Sequence, residues 1–374
     1  MKILYVLPSD DVIYGSGRCI AQMAKDIDEP FDLLVGKSLV KKIDEDKLRK
    51  AFGKKIGKIY KAWLPNFNAY YGKGEGFLMA GALLHKYIMW IKDRRTVHQI
   101  FYENKYDIIH LNSMILLPML SNKYNMLLHI REVFQGNDKE RNYASKMIHK
   151  ASGIIYINPS TKKAMNVHHA NEIIIQDPFD MTKLKDIDIG SIKKFWHIDS
   201  DKIVYAILGR FEDRNGTEFI IDAFHNNHNP NTVLFVVGNV SQSKIAEMKD
   251  KTENDGRIIY TGELSDPSEV FAITDYVLRG ERFFSGFSRT VYEGLYSGAR
   301  IIFPGERYEA EDSLQYDEFK NSLIFYEPRN KYKLAGIIEN GVKIKQSERK
   351  YLSNKEIYTR DYLDFIKNIV GKSI

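Results

Sequence analysis

The sequence predicts an α/β chain folded as two halves, each a sheet built from alternating strands and helices. Three observations predict it. Short apolar runs of strand character alternate with stretches of helical periodicity from Lys2 onward. The alternation pauses once, over the polar span Asp180 to Asp201, and restarts at Ile203. The 374 residues, 44% hydrophobic and 28% charged, suffice for two cores and have the balance of a globular protein.

Composition also excludes classes. A single cysteine, Cys19, rules out an internal disulfide framework and a Cys-rich metal site. The start, MKILYVLPSDD, lacks a basic n-region and a long apolar core, so no signal peptide is expected and the expected location is cytoplasmic. The uncharged apolar-rich run Gly76 to Leu84 is too short to cross a bilayer. A formal charge of +6 points to a local basic patch, not to a nucleic-acid partner.

In order, Lys2 to Leu7 reads as a buried strand, and Cys19 to Ile27 as a helix after a loop bearing Gly15, Gly17 and Arg18. The glycines lie too far from the strand, and lack the third member, for a dinucleotide fingerprint. Phe31 to Val35 is a second strand. Lys41 to Lys61 then holds nine basic residues against three acidic ones, interleaved with Ile56, Ile59 and Tyr60 and followed by Trp63 and Leu64. Residues 41–64 therefore read as a solvated surface helix, or as a segment lying against anionic head groups or an acidic acceptor. Phe77 to Tyr102 is a long helix. Strands follow at Asp107–Leu111, Met126–Ile130 and Ile154–Ile157, the last feeding a helix capped by Ser160 or Thr161. Because ligands of open α/β sheets sit beyond strand carboxyl ends, Arg131 and Glu132 are expected to face a cleft, with His129 a core residue.

In the second half, Ile203–Leu208 is a strand, Gly209 to Gly216 its loop and Thr217–His225 a helix. Thr232–Val237 and Arg257–Tyr260 continue the pattern, with Glu263 and Leu264 in the loop after the latter. The stretch DYVLRGERFFSGFSRTVYEGLYSGARIIF, from Asp275 to Phe303, reads as strand, glycine-bearing loop, helix and strand. Ser285-Gly286-Phe287-Ser288 opens the helix, whose free N–H groups and positive dipole end suit a phosphate. Glu293 is placed to accept hydrogen bonds from a ribose diol, and Gly298 to end the helix in a left-handed conformation. Asn354 to Val370 is a last helix.

SGFSRTVYEGLYSGARII resembles the donor-binding motif of retaining glycosyltransferases of the GT-B type, family 4 in particular. Gly286, Phe287, Glu293, Gly298 and Ile301-Ile302 fall on that pattern, whereas Ser285 replaces its first Glu and Ser288 its last loop Gly. Gly209-Arg210 to Gly216 is similar to the family's diphosphate loop, with Asn215 at the Lys position and Arg214 beside it. The resemblance implies two Rossmann-like domains facing across a cleft: residues 1–178, joined by the C-terminal helix 355–374, on the acceptor side, and residues 179–354 holding the nucleotide-sugar. It implies Gly15, Gly17, Arg210, Arg214, Glu263, Leu264, Ser285, Gly286, Phe287, Ser288, Arg289 and Glu293 around the donor, and Arg131, Glu132 and Arg210 in the chemistry.

The function so implied is retaining, metal-independent transfer of a hexose from a nucleotide-sugar, UDP being the expected nucleotide. The acceptor would be a glycan or lipid-linked hydroxyl in surface polysaccharide or glycoconjugate synthesis. No cofactor and no metal are expected, since no paired acidic motif is placed for a divalent cation. The alternative is a glycosyltransferase-like protein that binds a glycan or another transferase without catalysis, for which Ser285 in place of Glu is the reason.

Overall fold

The computed structural model describes residues 1–12, 15–68, 77–209, 211, 216–264, 266–280, 288–305 and 317–371. They form two units, Met1–Pro178 with Lys355–Ile374, and Phe179–Asn354.

The first unit is a seven-stranded parallel sheet. Its strands are β1 (Ile3–Leu7), β2 (Phe31–Gly36), β3 (Ile56–Ala62), β4 (Ile108–Leu111), β5 (Met126–Ile130), β6 (Gly153–Tyr156) and β7 (Glu172–Ile174), in the order β3-β2-β1-β4-β5-β6-β7. Every residue of β1, β2, β4, β5 and β6 is buried, as expected where helices cover both faces of a parallel sheet. One face packs on Trp90, Val97 and Phe101 of α3 (Phe77–Asn104) and on the 3₁₀ turn Met114–Met119. The other packs on α1 (Gly15–Asp26), α2 (Glu45–Phe52) and the C-terminal helix Lys355–Gly371, through Ile20, Met23, Leu48, Phe52, Tyr358, Tyr362 and Ile366.

The basic stretch differs from its single-helix reading. Residues 45–52 are α2, but Ile56–Ala62 is the edge strand β3. A bulge explains the missed alternation: pairing with β2 slips between Phe31 and Leu33. There Asp32 Oδ1 accepts a hydrogen bond from the Lys58 amide at 2.7 Å, beside a glycine, Gly57, whose added Cβ would lie 2.4 Å from that oxygen. Ile56 and Ile59 turn into the core, and Lys41, Lys55 and Lys61 pair with Asp10, Asp28 and Glu45. Two of the apolar residues of that stretch, Ile56 and Ile59, are thus taken up by the core. The helix after β6, α5 (Pro159–Met165), follows α4 (Asp138–Ile148). Its cap is Asn158, whose Oδ1 accepts from the Thr161 amide at 2.8 Å, while Thr161 closes the capping box from inside the helix.

The second unit holds α6 (Ile189–Phe195), α7 (Thr217–His225), α8 (Gln242–Lys251), α9 (Ser268–Ile273), α10 (Arg289–Tyr296) and α11 (Lys331–Glu339). Its parallel strands are β8 (Ile203–Leu208), β9 (Thr232–Val237), β10 (Ile258–Gly262), β11 (Tyr276–Leu278), β12 (Arg300–Pro304) and β13 (Leu323–Tyr326), ordered β10-β9-β8-β11-β12-β13. The two ends of this unit are stitched together, because the Phe179 amide donates to Asn354 Oδ1 and the Asn354 amide to the Phe179 carbonyl. The C-terminal helix Lys355–Gly371 of the first unit is α12. No helix among the described residues is long and apolar enough to cross a membrane.

Candidate active site

Both sheets reverse their strand order once, and the crevice beyond the strand ends at such a reversal is where open α/β sheets take ligands. In the second unit the reversal lies between β8 and β11. The loops leaving those strands meet backbone to backbone: a Cβ on Gly216 would sit 1.9 Å from the Gly280 carbonyl oxygen, and one on Gly280 2.6 Å from that of Gly216. The next loops are laced to them. The Gly209 amide donates to the Val237 carbonyl and the Gly238 amide to the Gly262 carbonyl, each at 3.0 Å. Glu263 and Leu264 follow directly, Glu263 exposed and Leu264 packed against the core.

Helix α10 starts at this reversal. Val291 and Leu295 fix it on the sheet, Ser288 is its N-cap residue in extended conformation, and Gly298 follows with φ +80°, the left-handed stop expected of it. Glu293 is 2% exposed, so its carboxylate lies inside the unit. Arg289 Nε donates to Glu293 Oε1 at 2.9 Å, and its guanidinium lies over the Phe179 ring, 5.0 Å from the centroid. A buried carboxylate and a half-buried cation therefore share the first two turns of a helix whose N-cap residue, Ser288, makes no side-chain cap bond. That arrangement can take an anion at the amides and hydroxyls at the carboxylate. Arg279, which sequence reading passed over, joins them. It follows β11 directly, reaches Thr290 Oγ1 at 3.5 Å, and burial pushes its guanidinium down to about 10. Its signal was a charged residue closing the apolar run Tyr276-Val277-Leu278. Arg210, Arg214, Ser285, Gly286 and Phe287 lie outside the described residues.

In the first unit the reversal lies between β1 and β4. Gly15 and Gly17 open α1 there, with Gly15 at φ +51°, and a Cβ on Gly17 would sit 1.8 Å from the Asp11 carbonyl oxygen. Asn112, at the end of β4, donates to the Ser16 carbonyl at 3.2 Å and accepts from Arg131 Nε at 2.6 Å. Arg131 also pairs with Asp177, and its side chain is 3% exposed. Arg131 thereby holds the first turn of α1 through Asn112. Glu132 accepts from Ser113 Oγ at 2.5 Å and from the Met114 amide at 3.0 Å, capping the 3₁₀ turn, while burial pushes its carboxyl up against those bonds. Behind Arg131, His129 Nδ1 lies 3.3 Å from His110 Nε2, and His110 Nδ1 2.8 Å from the Tyr362 hydroxyl of α12. Burial, then the charge of Arg131, holds both imidazoles well below the usual histidine range, so they are neutral. No group of His, Cys, Asp and Glu suited to a metal occurs among the described residues.

Residues 188–353 match the family model described as glycosyl transferases group 1. No curated protein matches the chain. Among solved structures it is similar to HepE of Anabaena in complex with UDP (TM-score 0.68, 14% identity, covering 100% of this chain and 98% of that one). HepE is also solved with UDP-glucose. Similar too are a glycosyltransferase of Rickettsia africae (0.67, 13%, 100% and 96%) and sucrose-phosphate synthase of Thermosynechococcus elongatus (0.65, 12%, 100% and 97%). The likeness establishes the fold: two parallel-sheet, Rossmann-like domains of the GT-B class. The stretch that matches the group 1 model lies within the second unit and includes α10.

Proposed function

We propose that the chain transfers a hexose from a UDP-sugar to a hydroxyl of a glycan or lipid-linked acceptor, with retention at the anomeric carbon and without a metal. The observation that carries this reading is the pairing of buried Glu293 with half-buried Arg289 in the first two turns of α10, within the stretch that matches the group 1 model. Glu293 would accept the ribose hydroxyls. The diphosphate would lie on the leading amides of α10, met by Arg289 and, from the β8 loop, by Arg210 and Arg214. These fixed positive groups would stabilise the charge that builds on the departing diphosphate. Ser285, Gly286, Phe287 and Ser288 would shape the sugar and phosphate end, Glu263 and Leu264 the base. Arg131 and Glu132, with Gly15 and Gly17, would line the sugar and acceptor side. UDP is favoured because HepE is solved with UDP and UDP-glucose.

Titration calorimetry tests the reading. The protein should bind UDP, and bind ADP more weakly. Glu293→Gln should weaken UDP by about 10- to 100-fold, the loss of hydrogen bonds to a charged group at about 1.5–3 kcal/mol. A melting temperature close to that of the unsubstituted protein serves as the fold control. A chain that binds no UDP, or a variant that binds it equally well, overturns the proposal.

A further inference from the structure

One exposed stripe of α3 is apolar. Leu84, Tyr87, Ile88 and Ile91 are 61%, 58%, 47% and 56% exposed, and their spacing of three and four puts them on one stripe. Arg95, His98 and the exposed Tyr102 continue it toward the helix end. Trp90, Val97 and Phe101, about a third of a turn round the helix from the stripe, pack on the core, and the stripe itself is left uncovered. Tyr143 of α4, itself exposed, stands near Tyr87 and widens the patch.

Beside the stripe lies a cavity of about 200 Å³ between α3 and the segment before β5. Arg94, His98, Lys123 and Lys150 line it with Trp90 and Leu120, and among the described residues no carboxylate does. The one acidic residue between Leu84 and His98 is Asp93, which is turned to Lys37 Nζ at 3.3 Å and the Trp63 amide at 2.8 Å. An exposed apolar stripe running into a basic recess matches a surface that is apolar at one depth and anionic at the next. We propose that this face of α3 docks on an anionic lipid bilayer, the stripe entering the head-group boundary and a lipid phosphate seating in the recess. A second copy of the chain fits less well, because a stripe-to-stripe pair brings no acid to meet the recess. The inference does not depend on sugar transfer, and its test uses no donor.

The full chain is sedimented with vesicles of phosphatidylcholine alone and of phosphatidylcholine with 30% phosphatidylglycerol. Binding should be at least tenfold stronger to the anionic vesicles and fall as salt rises. Ile88→Asp with Ile91→Asp should lose binding to both kinds at least tenfold. Lys123→Gln with Lys150→Gln should lose the preference for anionic vesicles and keep the weak neutral binding. All four positions are on the surface, and an unchanged melting temperature checks the fold. Absence of vesicle binding by the unsubstituted chain, or unchanged binding by either variant, overturns the proposal. So does a dimer, seen by light scattering, that Ile88→Asp dissociates while vesicle binding persists. Inorganic phosphate that binds the recess without competing with vesicles overturns it as well.

Discussion

Replacing Arg349 with alanine is expected to destabilise the second unit by about 3–5 kcal/mol at neutral pH, the cost of stranding a buried charge. Its partner, Asp275, stands just before β11, at the sheet edge opposite the candidate site. Asp275 Oδ1 accepts from Arg349 Nη2 at 2.7 Å and from the Ile344 amide at 3.1 Å, and Oδ2 from the Val204 amide of β8 at 2.8 Å. Arg349 Nη1 donates to the Thr274 carbonyl, and the two side chains are 3% and 2% exposed. One carboxylate thus ties together β8, β11 and the chain beyond α11. Burial lifts its proton affinity above the ordinary aspartate range, while the amides and Arg349 pull it down. Removing Arg349 leaves the lift less opposed. A carboxyl whose folded-state pKa is raised keeps its proton in the native state where the unfolded chain has lost it, so stability falls as pH rises through that window. The deficit of Arg349→Ala should therefore be largest near pH 7 and shrink as the medium is acidified toward the carboxylate range. Urea unfolding of the variant and the unsubstituted protein at pH 7 and pH 5 measures this. A deficit that grows on acidification, or none at pH 7, would show that the pair does not hold the sheet.

Legibility in the sequence followed the range of the interactions. β5, β8, β9 and β11 were readable to the residue because unbroken apolar runs bounded by polar residues suffice to mark a strand buried on both faces. Gly298 was readable as a helix stop because a left-handed residue after an apolar turn is a local requirement. β3 was not, since the bulge at Gly57 breaks its alternation and its partner Asp32 lies 26 residues earlier. At α5 the reading chose between Ser160 and Thr161, but the cap is Asn158, because Pro159 fits the first helical position. At the candidate site, Glu293 could be singled out by its place early in the helix and by the motif it resembles. The tie from Tyr362 through His110 and His129 to Arg131 could not, because it joins residues 252 positions apart that only the fold brings together. Nor could the use of Arg131, whose guanidinium is committed to Asn112 and Asp177 and so positions the opening of α1.

Gly216→Ala should cost about 2–4 kcal/mol, combining a left-handed backbone that disfavours a Cβ with overpacking against rigid atoms. Gly216 has φ +63°, and the new Cβ would lie 1.9 Å from the Gly280 carbonyl oxygen and 2.4 Å from its carbon. Neither is the tip of a flexible side chain, so relief can come only by moving the loops after β8 and β11 apart. Those loops are the two walls of the strand-order reversal, and the β11 loop leads into α10. Stability and ligand binding are then coupled at one atom pair. Because association depends on amides and cations held in fixed positions, a shift of about an ångström there costs affinity well beyond the stability loss. UDP affinity should fall at least tenfold at a temperature where the variant is still fully folded. Gly256→Ala is the control: nothing lies within 4 Å of its added Cβ, and its effect should stay within about 0.5 kcal/mol. A Gly216→Ala protein that melts lower yet binds UDP normally would separate the two loops from the donor site and place that site elsewhere in the second unit.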